Sequence, residues 1–300
     1  MCGIAGIYAK SPQLRDELGA HLSNMLVELS ERGPDSAGVA IYRDPAADGS
    51  SKLSLHAAAG CDWQALSAEL AAHVGENSWR KVCDRHAIFV IEADAQSAQD
   101  WIGEHRGDVD LMSAGTLIEI YKEAEPAAEL VREYGLDRLD GSHALGHTRM
   151  ATESRVSTLG SHPFSSGQDI CLVHNGSLSN HNRLRDQLRR EGLAFRTQND
   201  TEVAAAYLAW RMSEGASLEQ ALEGCLEDID GFYTFAVGTE TGFAVLRDPI
   251  ACKPAVMAET DDWVAIATEY RALDVLPGSD RARVWEPEPG VVYSWGGVLV

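Results

Sequence analysis

MCGIAGIYAK, Met1 to Lys10, opens the chain and sets the question that decides its fold. Residues 2–9 are a short apolar run of β-formers and glycine, which predicts a strand with a cysteine at its leading edge. Cys2 is small enough that removal of Met1 is expected, leaving a thiol and a free α-amine on one residue. A thiol attacks only as its thiolate. An α-amine that titrates near neutrality could take the proton. A small residue buried in a strand is the plainer reading, and Cys2 alone leaves both open.

Composition narrows the classes. Three hundred residues, 45% of them hydrophobic, suffice for one large domain or two small ones. A net charge of −21 argues against nucleic-acid and anionic-membrane partners, which need cationic surface. Cys2, Cys61, Cys83, Cys171, Cys225 and Cys252 are scattered, with no CxxC pair and no His/Cys ligand spacing. That pattern predicts reduced thiols in a cytoplasmic protein and no metal site. The opening apolar run stops at Lys10, short of a secretory core, and no stretch reaches membrane-spanning length.

Outward from the first strand, LGAHLSNMLVELSERG carries Leu18, Leu22, Met25, Leu26 and Leu29 at helical spacing, and GVAIYR reads as a second strand. The polar turn DPAADGSS then opens a stretch of different character, 46–139, expected as a small α+β insertion. It holds the helices DWQALSAELAAHV, DAQSAQDWIGEH and EPAAELVREYG and the strands HAIFVIEA and GTLIEIYKEA. The main pattern resumes with ALGHTRMAT, DICLVHNG, a basic helix, a longer apolar helix and a series of short strands. Many strands with few interleaved helices predict an α+β protein with stacked antiparallel sheets.

Four stretches carry polar residues that packing alone does not need: ERGPDSAG (31–38), GHTRMATES (146–154), HNG (174–176) and QNDTE (198–202). Taken singly, HNG could be a hairpin turn, QNDTE a helix start capped by Asp200, and the arginine of GHTRMAT a structural ion pair. Taken with Cys2, they resemble the signature set of class II glutamine amidotransferases, N-terminal-nucleophile (Ntn) hydrolases with a four-layer αββα fold. The resemblance runs through MCGIAG, RGPDSAG, GHTRMAT, HNG and NDTE into LRDPIACKPAV and ATEYRAL. It implies one domain over 2–300, interrupted by the 46–139 insertion.

The resemblance also implies roles. Cys2 would attack the side-chain amide of L-glutamine, with Asn175 and the backbone N–H of Gly176 holding the oxyanion. Arg149 would bind the α-carboxylate through its planar fork, Asp200 the α-ammonium, and Thr152 would contact the same head group. His147 and His174 are expected as buried, hydrogen-bonded imidazoles, Arg32 and Asp35 as shapers of the RGPDSAG turn, and Cys171 as a core residue. Glu153 stands where several relatives have histidine.

TRMATES, SHPF, LVHNGSLSNHNRLR and TQNDTEVAAAYL are similar to the stand-alone amidotransferase chains related to glutamate synthase, best known from N-methylglutamate synthase. The chain ends at WGGVLV, so the synthase is expected on another polypeptide. The implied partners are the flavin-binding synthase subunit of such a complex and its β-helix subunit. FMN and iron–sulfur centres are expected in the partner, and no cofactor in this chain. The acceptor of the ammonia stays open. Two other classes remain: a scaffold protein without glutaminase activity, and an Ntn amidase acting on a different amide.

Overall fold

The computed structural model describes residues 2–151 and 156–297. The opening run is a strand, Gly3–Ala9, in the middle of a seven-stranded sheet, hydrogen-bonded to Trp263–Ala267 on one side and His143–Arg149 on the other. Successive side chains on a strand face opposite ways, and this strand uses both faces. Ala5, Ile7 and Ala9 join a cluster with Leu18, Leu22, Met25 and Leu26 of the helix Leu18–Glu28. Ile4 points the other way, into a cluster that includes Cys171, Val173, Ala236 and Phe243 of a second sheet. Full burial of each large apolar side chain here contributes about 2 kcal/mol.

The first sheet runs Arg283–Trp285, Val256–Glu259, Trp263–Ala267, Gly3–Ala9, His143–Arg149, Ser36–Tyr42, Ile118–Glu123. The second runs Val292–Gly296, Gly242–Arg247, Gly231–Thr239, Cys171–Leu178, Phe164–Ser165. Neighbouring strands pair antiparallel in both. Helices Leu18–Glu28 and Ala127–Tyr134 cover the outer face of the first sheet. Helices His181–Arg190, Asp200–Ser213 and Leu218–Asp228 cover the outer face of the second. The stack is the expected αββα order. No helix among the described residues is long and apolar enough to cross a membrane.

The expected insertion divides in the structure. Ser51–Ala57, Asn77–Val82, His86–Ile91 and Val109–Gly115 form their own four-stranded sheet, covered by helices Trp63–His73 and Ala95–His105 around Leu53, Leu55, Leu70, Phe89 and Ile102. Asp62 and Asp94 cap the two helices, each accepting from a backbone N–H at 2.9 Å. The separate unit ends near Gly115, short of the expected 139. Ile118–Glu123 pairs with Ser36–Tyr42 as the edge of the first sheet and is buried on both faces, with Ile118 and Ile120 between the sheets and Tyr121 on the helix side.

Candidate active site

The strand ends of both sheets meet at a cavity of about 320 Å³, and the motif residues converge there. Cys2 precedes the first strand, Arg149 ends His143–Arg149, Gly176 lies on Cys171–Leu178, and Asp200 begins its helix. All four line the cavity, with Met150, His162 and His174 among their neighbours. The Cys2 thiol donates to the Met150 carbonyl at 3.7 Å.

The Cys2 backbone is fixed from two sides. Arg32 Nε donates to the Cys2 carbonyl at 3.1 Å while its guanidinium pairs with Glu269. Asn175 Nδ2 donates to the same carbonyl at 3.4 Å and to Thr268 Oγ1 at 3.0 Å. Asn175 Oδ1 faces His147 Nε2 at 3.1 Å, so the amide orientation is set by its neighbours. Asn175 thus lies against the Cys2 backbone, between His174 and Gly176 of the cavity lining. The hydroxyl of Thr268 also accepts from the Ile4 N–H at 2.8 Å, tying the nucleophile strand to the Asn175 strand.

Asn-Gly at 175–176 is not a hairpin turn. Both residues lie inside the strand Cys171–Leu178, paired with Thr234 and Tyr233. Glycine is required at 176 because φ is +149° and a Cβ would stand 2.0 Å from the Phe232 carbonyl oxygen. Likewise a Cβ on Gly33 would meet the Arg149 backbone nitrogen at 2.3 Å. The missing Cβ lets the RGPDSAG turn lie against the Arg149 strand. There Asp35 N–H donates to the Arg149 carbonyl at 3.1 Å, and Asp35 Oδ2 accepts from Ala151 N–H at 2.8 Å. Arg32 and Asp35 thus shape the turn as expected, and Arg32 additionally holds the nucleophile's own backbone.

Asp200 is the first residue of its helix rather than the cap. Asn199 is the cap, its side chain accepting from Thr201 N–H at 2.9 Å. This leaves the Asp200 carboxylate to accept from Leu178 N–H at 3.0 Å and to face the cavity. Three imidazoles near it, His147, His162 and His174, are buried. Burial pushes His147 down to about 3, despite its bonds to Asn175 and the His174 carbonyl. Burial likewise holds His162 well below the usual histidine range, and lowers His174 against the opposing pull of Asp200. Thr201 Oγ1 bridges His174 Nδ1 at 3.0 Å and His162 Nε2 at 3.1 Å. Arg149 and Asp200 supply opposite charges to the cavity lining.

Cys171 is a core thiol, raised by burial to about 11 and close to the Tyr42 hydroxyl. Thr152 and Glu153 lie outside the described residues. Sequence reasoning missed Thr268, His162 and Asn199 as parts of the site. All three stand inside quoted stretches, but a single polar side chain at a strand end or turn carries no signal of what it will touch.

Similarity to known proteins points the same way. Residues 147–275 match the model of a glutamine amidotransferase domain. The chain is 53% identical over 297 residues to a glutamine amidotransferase-like protein, GlxB, of Rhizobium meliloti, covering 98% of each. It is 34% identical to a putative glutamine amidotransferase of Methanothermobacter thermautotrophicus, over 97% of this chain and 98% of that one. Among solved structures, glutamine phosphoribosylpyrophosphate amidotransferase from B. subtilis superposes with a TM-score of 0.62 at 22% identity, over 99% of this chain. The chain spans about half the length of that structure (47%), and the likeness is one of fold.

Proposed function

The chain belongs to the glutamine amidotransferases, and from that premise we propose that it is a class II glutaminase subunit that hydrolyses L-glutamine and passes ammonia to a separate synthase. The observation that carries this reading is the convergence of Cys2, Arg149, Gly176 and Asp200 on one cavity. Arg149 and Asp200 bind the carboxylate and ammonium of the substrate head, which selects an α-amino acid over a simple amide. With Met1 removed, the α-amine of Cys2 accepts the thiol proton as sulfur attacks the amide carbon. The oxyanion takes the N–H of Gly176 and one proton of Asn175 Nδ2, exchanging the 3.4 Å contact to the Cys2 carbonyl for the developing charge. Collapse breaks the C–N bond, and the amine's proton leaves with ammonia. Water, deprotonated by the same amine, then attacks the γ-glutamyl thioester to release glutamate and restore the thiol.

Among the described residues, the elements belong either to the four amidotransferase layers or to the 51–115 unit. On the sequence resemblance, the acceptor reaction is assigned to another polypeptide. The sequence resemblance makes that partner a flavin-binding synthase subunit of the glutamate synthase type, with a β-helix subunit, in a complex like N-methylglutamate synthase. FMN and iron–sulfur centres reside in the partner. The 51–115 unit, which hydrolysis does not need, is the docking surface. Affinity purification from the native cell with mass spectrometry tests this. We expect an FMN-containing synthase and a glutaminase that accelerates in its presence; a lone, fully active chain would refute it.

A further inference from the structure

The seam between the 51–115 unit and the first sheet gathers metal-ligating side chains that glutamine hydrolysis does not use. His56 lies on Ser51–Ala57 and pairs across the ladder with His86, the first residue of His86–Ile91. Glu123 ends the core strand Ile118–Glu123. Its Oε1 stands 3.7 Å from His56 Nε2 and 3.6 Å from His86 Nε2. Nitrogen and oxygen ligands at about 2.0–2.1 Å around a tetrahedral zinc ion stand roughly 3.4 Å apart. The three atoms are therefore already near ligand spacing, within 4.8 Å of one another.

The surroundings suit a cation. His56 Nδ1 faces Asp110 Oδ2 at 3.6 Å, the position of a carboxylate behind a ligating imidazole. Glu123 is oriented by the Tyr134 hydroxyl on Oε1 and by Arg85 and the Thr158 hydroxyl on Oε2. His86 Nε2 faces the Lys122 carbonyl at 3.1 Å, and its Nδ1 is buried with no hydrogen-bond partner among the described residues. Moving the ring proton from Nε2 to Nδ1 frees the Nε2 lone pair for an ion.

We propose that His56, His86 and Glu123 form a binding site for one divalent transition-metal ion of the zinc class, with a remaining position open to water. The ion would clamp two strands of the 51–115 sheet to the core sheet. Through the 2.8 Å Thr158–Glu123 hydrogen bond, it would also brace Thr158. No ligand spacing in the chain marks this site: the three residues are far apart in sequence, and only the fold brings them together.

Cobalt(II) is the probe, titrated into tag-free, chelator-stripped protein and followed by visible absorption. The expected result is saturable uptake of one equivalent, with d–d bands of four- or five-coordinate intensity, displaced by zinc and accompanied by a rise in Tm. His56→Gln and His86→Gln, checked for native circular dichroism, should each abolish the bands and the Tm rise. Absence of saturable uptake by the unaltered protein would overturn the proposal whatever the variants do. So would bands that persist in both variants, which would place the ion elsewhere.

Discussion

Gly176→Ala separates the close approach at the oxyanion strand from ordinary strand stability. A Cβ at 176 stands 2.0 Å from the Phe232 carbonyl oxygen, 2.7 Å from His174 Nε2 and 2.8 Å from Tyr233 Cα, with φ at +149°. Relief requires the backbone to shift by about 1 Å, and the strained φ adds about 1–3 kcal/mol. The total loss of stability should reach about 3 kcal/mol, large for one substitution but within what a domain of this size survives. A shift of that size carries the 176 N–H out of the narrow distance range an oxyanion donor must keep. kcat should then fall by about 10²–10³ with little change in KM. Gly192→Ala is the control, because φ there is +91° with nothing within 4 Å of the added Cβ. It should cost about 1 kcal/mol and leave kcat alone. Urea unfolding and a coupled assay for released glutamate report both quantities. If Gly176→Ala keeps kcat within about twofold while Gly192→Ala behaves as stated, the 176 N–H is not an oxyanion donor.

Arg149→Lys keeps the charge but loses the planar fork, so KM for glutamine should rise tenfold or more, about 1.4 kcal/mol, with kcat less affected; an unchanged KM places the carboxylate elsewhere. Asp200→Asn should raise KM similarly and should reduce discrimination against glutamine analogues that lack the α-ammonium, measured in a substrate panel. Stability should also fall on acidification below about 6.5, the unfolded histidine value. Burial holds His86 and His147 at about 3 and His143 at about 4 in the folded chain. Between those values and 6.5 the unfolded chain binds more protons, so each ring removes about 1.4 kcal/mol per pH unit as pH falls. Urea midpoints at pH 6.5 and pH 5 that coincide would contradict this.

How much of this was legible in the sequence depended on whether a residue's partners were local. The first strand and the helix Leu18–Glu28 follow from apolar periodicity. Ser51–Ala57 did not stand out as a strand because its buried polar face hides the usual alternation. Lys52 is buried through an ion pair with Glu119 at 2.9 Å, and Ser54 through a bond to Ser113. Asn77–Val82 is largely exposed and polar, and so carries no apolar signal. That Ile118–Glu123 joins the core sheet depends on its pairing with Ser36–Tyr42, which its own residues do not encode locally. The motif residues of the site were readable as a set. Thr268 was not, because a threonine at a strand end becomes meaningful only when Ile4 and Asn175 arrive against its hydroxyl.

Covalent labelling tests most directly whether Cys2 is the nucleophile, on which the whole mechanism rests. The protein would be treated with a diazo-ketone analogue of glutamine, with and without excess glutamine, then analysed intact and as peptides by mass spectrometry. Cys252 is exposed and serves as an internal control for indiscriminate alkylation, while Cys171 and Cys225 are buried. The expected result is a single adduct, on an N-terminal Cys2 from which Met1 has been removed. Glutamine should protect against it, and Cys2→Ala should lose both labelling and glutaminase activity. An adduct on Cys252 in place of Cys2, or glutamine hydrolysis that survives Cys2→Ala, would contradict the assignment.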